Sequence, residues 1–320
     1  MATPTALPRS STAVRRRFGA DEVAYGLTLI FAFLIIAVTV LLVWELWVHS
    51  ALSREKFGLG FIISTAWDPV AEKYGALPFI YGTLITSFLA LLISVPLGVG
   101  AAIYLSELAP QRLSNTLTFL VELLAAVPSV IYGLIAIFTL VPLMRSYVEP
   151  GIQAIAGDLP VFQGHIFGYG YLTAGVILAV MTFPYIISVS REALLAVPRE
   201  QREAALALGA TKWESTYQAV LPFARLGIIG SIFLALARAL GETMAVTMVI
   251  GNSNAIQASL FAPGQTIAAV IANEFSEATG NTYLAALVEL GLVLFVLTMV
   301  INAMAQLMII VTTKKGSAKG

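Results

Sequence analysis

The sequence predicts an all-α membrane protein of six transmembrane helices, and three observations carry that prediction. Hydrophobic residues make up 58% of the chain and charged residues 11%, with a mean hydropathy of +0.88. Soluble domains hold roughly a quarter charged residues, a gap too wide for an ordinary buried core to explain. Six runs are apolar and long enough to cross about 30 Å of hydrocarbon at about 1.5 Å of rise per residue. Lysine and arginine are distributed unevenly over the segments between those runs.

The runs cover residues 23–48, 77–105, 117–142, 171–189, 227–251 and 282–312. The first follows Arg15, Arg16 and Arg17, as the apolar stretch of a signal peptide does. Its length far exceeds the about 7–15 apolar residues of such a peptide, so it is expected to stay as an uncleaved helix. The second, third and fourth contain Pro96, Pro128 and Pro184. Prolines are tolerated inside spans where neighbouring helices or a lined cavity satisfy the freed carbonyls. Before the first run, residues 1–22 are rich in Ser, Thr, Pro and Arg and are expected to be a disordered cytoplasmic N-terminus. Residues 49–76 and 143–170 are expected to be external loops. Residues 252–281 contain "APGQTIAAVIANEF", a turn followed by a short amphipathic helix at the outer surface. Residues 313–320 are expected to form a cytoplasmic tail.

Orientation follows from the positive charges. With the N-terminus inside, Arg9, Arg15, Arg16, Arg17, Arg112, Arg191, Arg199, Arg202, Lys212, Arg225, Lys314, Lys315 and Lys319 are cytoplasmic. Only Arg54, Lys56, Lys73 and Arg145 fall outside, and Arg238 lies within a span. This bias matches the positive-inside rule and places both termini in the cytoplasm.

Residues 190–226 form the one sizeable polar segment between the fourth and fifth runs. Within it, "EAALALGATKWESTYQAVLP" (203–222) reads as two short helices hinged at Gly209. Pro198 suits the first turn of a helix and Gly209 its end. Thr211 with Glu214 three residues on is a capping-box pattern that starts the second helix. Trp213, Tyr217, Val220 and Leu221 recur at helical spacing on one face, and Pro222 is expected to stop the helix. From the helix pattern alone, a surface helix lying at the headgroups competes with a knob that docks into a soluble partner's groove.

This stretch resembles the EAA loop in the membrane subunits of bacterial ABC importers. Its pattern is E-A-A, three residues, G, nine residues, I-x-L-P, and Glu203, Ala204, Ala205, Gly209, Leu221 and Pro222 match in order. Ala219 departs from it at the isoleucine position. The resemblance implies the type I, MetI-like permease architecture and a coupling helix that sits in a cleft of an ATPase subunit. It also implies that ATP and Mg are bound by that separate ATPase, with no cofactor in this chain. No G-x-x-x-x-G-K-[ST] phosphate loop occurs anywhere in the sequence.

The second informative stretch is "LARALGETMAVTMVIGN", in the fifth run. An arginine mid-span costs about 2.5–3.5 kcal/mol on insertion scales, so Arg238 calls for an explanation. Glu242 stands four residues on, where a continuous helix would place both side chains on one face. One reading is an ion pair that helps pack the bundle. The other is an arginine facing the translocation route, whose paired parallel N–H donors suit a phosphate or carboxylate and which Glu242 orients. Glu45 and Glu122 lie near enough to span ends to snorkel and are read as structural; Glu289 is deeper.

"RALGETMAVTMVIGN" and "VPSVIYGL" (127–134) are similar to the PstC-type permeases of phosphate importers, over roughly residues 20–312. That resemblance implies a heterodimer with a PstA-type permease, two copies of a PstB-type ATPase, and a phosphate-binding protein outside. It implies a multi-pass subunit of the cytoplasmic (inner) cell membrane that is not itself an enzyme. A permease for sulfate, molybdate or an amino acid carries the same EAA loop, so only the fifth-run motif speaks for phosphate. A membrane enzyme would need a catalytic constellation. The chain has no cysteine, no G-x-S-x-G, and only His49 and His165, far apart and in no metal-ligand pattern.

Overall fold

The structure, a computed structural model, describes residues 20–317. Most of the N-terminal segment expected to be disordered and the last three residues of the tail lie outside the described residues. The α-helices in chain order are α1 (Ala20–His49), α2 (Ala51–Phe57), α3 (Gly60–Ile63), α4 (Leu77–Ile103) and α5 (Gln111–Ala125). Then come α6 (Ser129–Ile135), α7 (Val141–Leu143), α8 (Glu149–Ala156), α9 (Tyr171–Leu195) and α10 (Arg199–Ala207). The last are α11 (Lys212–Ser215), α12 (Leu221–Gly241), α13 (Met244–Val249), α14 (Ile267–Glu274) and α15 (Asn281–Ser317). Among the described residues there are no strands, only two isolated bridges, so the fold is all-α.

Six continuous helical stretches are long and apolar enough to cross a membrane: Glu22–His49, Leu77–Leu108, Ser129–Ala156, Tyr171–Leu195, Lys212–Gly241 and Asn281–Leu307. The number agrees with the sequence, but the third and fifth runs are displaced at both ends. The third run is no single helix over 117–142. It breaks after α5, where Pro128 has an extended backbone (φ −59°, ψ 142°) and starts α6. A proline withholds the donor that would continue the ladder and disfavours helix at the residue before it. The helix that follows runs on to Ala156, so Arg145 lies in a helix and not in the external loop expected from 143. The fifth stretch begins at Lys212 rather than 227 and ends at Gly241, short of the expected 251.

Pro222 does not stop its helix, and the reason recurs along the chain. Widened π-turns occupy Tyr104–Leu108, Ala136–Leu140, Met144–Val148 and Thr216–Val220. Each is followed after one residue by a proline: Pro110, Pro142, Pro150 and Pro222. In each, the residue before the proline donates five residues back, as Leu221 N–H does to the Thr216 carbonyl. The wider turn relieves the clash between the proline ring and the carbonyl four residues back, so three of these helices continue through their proline.

Chain contacts divide the molecule into two units, 1–48 and 49–320. The described part of the first is α1 alone, apolar all round in sequence. In the second, α4 and α9 make the most extensive helix pair and α12 packs on both. The seam follows from small residues. Thr83, Ser87, Ala90, Ser94, Gly98 and Ala102 recur along α4 every three or four positions and are buried. A Cβ on Gly98 would stand 2.7 Å from Ile186 of α9, so only glycine allows that approach. Leu84, Phe88, Leu92 and Leu97 are exposed on the other side of α4, an apolar surface suited to hydrocarbon. Ser190 of α9 and Ser231 of α12 share a hydrogen bond of 2.7 Å.

Three apolar clusters hold this unit. One joins α4, α6, α9 and α13 around Tyr171, Leu178, Met181 and Val246. A second packs residues 57–79 onto α14 and α15, with Trp67 edge-on to Phe79 at 4.9 Å and its Nε1 donating to Glu274 at 2.8 Å. The expected short helix of the last outer segment is α14, capped by Thr266, which accepts from Ala269 N–H at 3.2 Å. The third cluster is Ala102, Leu194, Val197, Val220 and Ala224, where the ends of α4, α9 and α12 converge beneath the polar hairpin.

Candidate functional site

The hairpin between α9 and α12 is built as its punctuation suggests. Pro198 stands at the N-cap of α10. At the other end Gly209 takes φ +89°, donates to the Leu206 carbonyl at 3.0 Å, and is followed by Ala210 N–H donating to the Ala205 carbonyl at 3.2 Å. That pair of bonds is a Schellman C-cap, which needs a left-handed residue and so favours glycine. Thr211 then caps α11: its Oγ1 accepts from Glu214 N–H at 3.3 Å, while Glu214 Oε2 accepts from Thr211 N–H at 2.7 Å.

Of the EAA residues, Glu203, Ala204 and Gly209 are exposed and Ala205 is half-buried. Leu208, at the tip, is 91% exposed. Leu221, half-buried, and Pro222, exposed, start α12 just past the π-turn. The apolar stripe expected on the second helix divides. Trp213 and Tyr217 are exposed, whereas Val220 is fully buried in the third cluster. The π-turn at Thr216–Val220 takes these positions off a regular α-helical wheel. The hairpin thus presents Leu206, Leu208, Trp213 and Tyr217 outward.

Beneath it lies an ion pair whose two members are far apart in sequence. Arg202 of α10 donates Nε and Nη2 to the two carboxylate oxygens of Glu107, at 3.1 and 2.8 Å. Nη1 donates to the Val197 carbonyl at 2.5 Å and Nη2 to the Leu194 carbonyl at 2.7 Å. The side chains are 21% and 9% exposed, so most of the pair is shielded from solvent. Hydrogen bonding to Glu107 raises the already high pKa of Arg202, which stays a cation at every workable pH. Glu107 carried one signal in sequence: a carboxylate in the last turn of a helix opposes the helix dipole and needs a cation.

The expected mid-span pair is corrected in both place and partnership, since the fifth span ends at Gly241, three residues past Arg238. Arg238 is in the last turn of α12, but the helix ends at Gly241 and Glu242 is extended (φ −71°, ψ 128°). Leaving the helix cancels the four-residue spacing. Among the described residues no hydrogen bond or ion pair joins Arg238 to Glu242. Glu242, 9% exposed, instead accepts from Ala245 N–H at 3.4 Å and holds the start of α13. Arg238 stacks on Tyr185 of α9, its guanidinium carbon 4.6 Å from the ring centroid, and its buried Nε has no hydrogen-bond partner. Tyr185 Oη donates to the Ala125 carbonyl at 3.4 Å, and Tyr132 Oη to the Leu124 carbonyl at 2.7 Å. Both acceptors are at the break between α5 and α6. Two interrupted helices therefore meet beside one arginine, as irregular backbone does where it lines a path or is buried in protein. At the C-terminal end of α13, Tyr169, Thr247 and Asn252 help line a cavity of about 300 Å³. Glu289 is buried at 5% exposure in α15, with Oε2 unbonded. Among the described residues no group of His, Cys, Asp and Glu is arranged to hold a metal.

Residues 94–309 match the family described as "Binding-protein-dependent transport system inner membrane component". The chain is 45% identical over 309 residues to a phosphate transport system permease protein PstC of Mesorhizobium japonicum, covering 95% of this chain and 94% of that one. It is 45% identical to the PstC of Haemophilus influenzae, over 92% of this chain and 93% of that one. A probable PstC of Methanocaldococcus jannaschii is 36% identical, with 86% and 89% covered. Among solved structures, a bacterial ABC transporter involved in the import of the acidic polysaccharide alginate aligns with a TM-score of 0.58 at 16% identity, covering 88% of this chain and 94% of that one. The MetNI methionine ABC transporter in an inward-facing conformation aligns at 0.53 and 19% identity, covering 72% and 93%. These two share the fold, and they confirm the MetI-like architecture. With its all-α fold, six apolar helices and exposed EAA hairpin, the chain belongs to the binding-protein-dependent transport system inner membrane components, together with the PstC permeases.

Proposed function

We propose that this chain is one half of the translocation pathway of an ATP-driven phosphate importer of the inner membrane. The observation that carries the proposal is the match to PstC permeases at 45% identity along 95% of the chain. The chain is a transport subunit, not an enzyme. A PstA-type permease completes the pathway, two copies of a PstB-type ATPase bind ATP and Mg, and a phosphate-binding protein delivers cargo outside. Both termini are cytoplasmic, which puts the hairpin on the side of the ATPase. Docking through Glu203, Ala204, Ala205, Gly209, Leu221 and Pro222 is supported by the exposure of the turn and its apolar tip.

Arg238 meets the passing anion. Its guanidinium is oriented by an aromatic face rather than neutralised by a carboxylate, and it has a donor to spare. An arginine that is not already paired offers its fork of donors to phosphate. Glu242 contributes by fixing the break that ends α12 beside Arg238.

The test is reconstitution of the four-component complex in proteoliposomes, with uptake of labelled phosphate measured against sulfate and molybdate. ATP-dependent uptake of phosphate alone is the expected result. Uptake of another oxyanion in its place would overturn the substrate.

A further inference from the structure

We infer that Arg202 and Glu107 form the joint that makes α4 move with the hairpin, and that Arg202 is a positioning residue for coupling rather than a docking residue. The inference rests on the transport function proposed above. The hairpin is joined covalently to α9 and, through α11, to α12, so its motion reaches those two helices along the chain. Nothing covalent joins it to α4, which is 95 residues away in sequence from Arg202 at the point of contact. Yet α4 has the largest helix contact in the molecule, with α9, and a transmitted movement must include it or shear that seam.

The arginine spans three elements at once. From α10 it grips Glu107 in the π-turn that ends the α4 stretch, through two parallel bonds. With its other donors it takes the Leu194 carbonyl in the last turn of α9 and the Val197 carbonyl just past it. A fork-to-carboxylate contact fixes orientation as well as distance, so α10 cannot tilt without carrying Glu107. Directly beneath, Ala102, Leu194 and Val197 pack with Val220 and Ala224 and close the same three helices on their apolar side. The exposed EAA surface lies on other residues of α10, and both members of the pair are mostly buried. The pair is suited to relaying a push, not to receiving the partner.

The experiment uses the whole complex in proteoliposomes with Arg202→Lys and Glu107→Gln, each compared with wild type. Lysine keeps the charge but cannot make the paired bonds or reach both carbonyls. The amount of complex, ATP hydrolysis stimulated by the binding protein, and phosphate uptake are measured in the same vesicles. The expected result is intact complex in which phosphate imported per ATP hydrolysed drops by about tenfold, within the range seen for residues that carry coupling. An unchanged ratio in both variants, whether uptake is normal or falls only in step with complex and hydrolysis, overturns the joint and leaves a structural tie. A wild-type complex that hydrolyses ATP but moves no phosphate fails the transport proposal instead, so the two failures are told apart.

Discussion

Arg238 and Tyr185 come from helices twelve and nine of the chain and meet over 4.6 Å, guanidinium on ring. Replacing Arg238 with glutamine removes both charge and fork, and phosphate uptake is expected to fall by about a hundredfold while the complex still assembles, the scale for losing one buried charged donor. Arg238→Lys is expected to recover little of it. Uptake divided by intact complex in the membrane is the measurement, and a loss that tracks assembly would make Arg238 a packing residue. Tyr185→Phe keeps the aromatic face and should keep most uptake. Tyr185→Leu removes it and should cost about tenfold, since cation–π contacts are worth about 0.5–2 kcal/mol. The arginine was legible because a charge in an apolar run is conspicuous. Its partner was not. Assigning Glu242 assumed a helix running on past Gly241, and hydropathy carries no mark of the backbone leaving the helix there.

The hairpin was the most legible element, because its ends are written in local chemistry. Gly209, Thr211 and Glu214 each do what their type and spacing suggest, within a few residues of one another. A side chain on Gly209 would meet nothing within 4 Å, so Gly209→Leu is disfavoured only by its positive φ, about 1–2 kcal/mol. The added bulk would project from the surface proposed to dock the ATPase. The permease is therefore expected to reach the membrane while ATPase copurification and uptake both fall; normal values of both would remove the docking role. Thr211→Ala is expected to weaken the cap by about 1 kcal/mol. Faster limited proteolysis between α10 and α11 would register that loss, with complex yield little changed. What the local code could not reveal is the Arg202–Glu107 pair, whose members are far apart in sequence and meet only once three helix ends converge.

At the scale of the whole molecule, the number of spans and the fold class were legible because both depend on sums of apolar length and composition. Boundaries depended on single prolines and were less so, as the break at Pro128 and the unbroken passage through Pro222 demonstrate. Topology is open to a direct check, since the chain has no cysteine to remove. A cysteine at Ser253 is expected to react with an impermeant reagent added outside whole cells, and one at Thr211 only after the membrane is opened. The opposite labelling would invert the orientation and take the hairpin away from any cytosolic ATPase.

The π-turns have a consequence for sequence length. Each holds one residue more than the α-helical turn it replaces, so it acts as a single-residue insertion tolerated because a proline follows it. Such an insertion should be reversible. Deleting Ala219 while making Pro222→Leu removes the surplus residue together with the proline that required it. The helix from Lys212 to Gly241 would then close into regular α-helix, with Trp213 and Arg238 keeping their relative facing. That double change is expected to preserve the amount of permease in the membrane and the packing of α12 on α9, whereas ATPase docking, in which Pro222 is proposed to take part, is expected to weaken. Deleting Ile228 within α12, where there is no surplus to absorb, would swing the helix upstream by about 100° against Arg238 and abolish both complex yield and uptake.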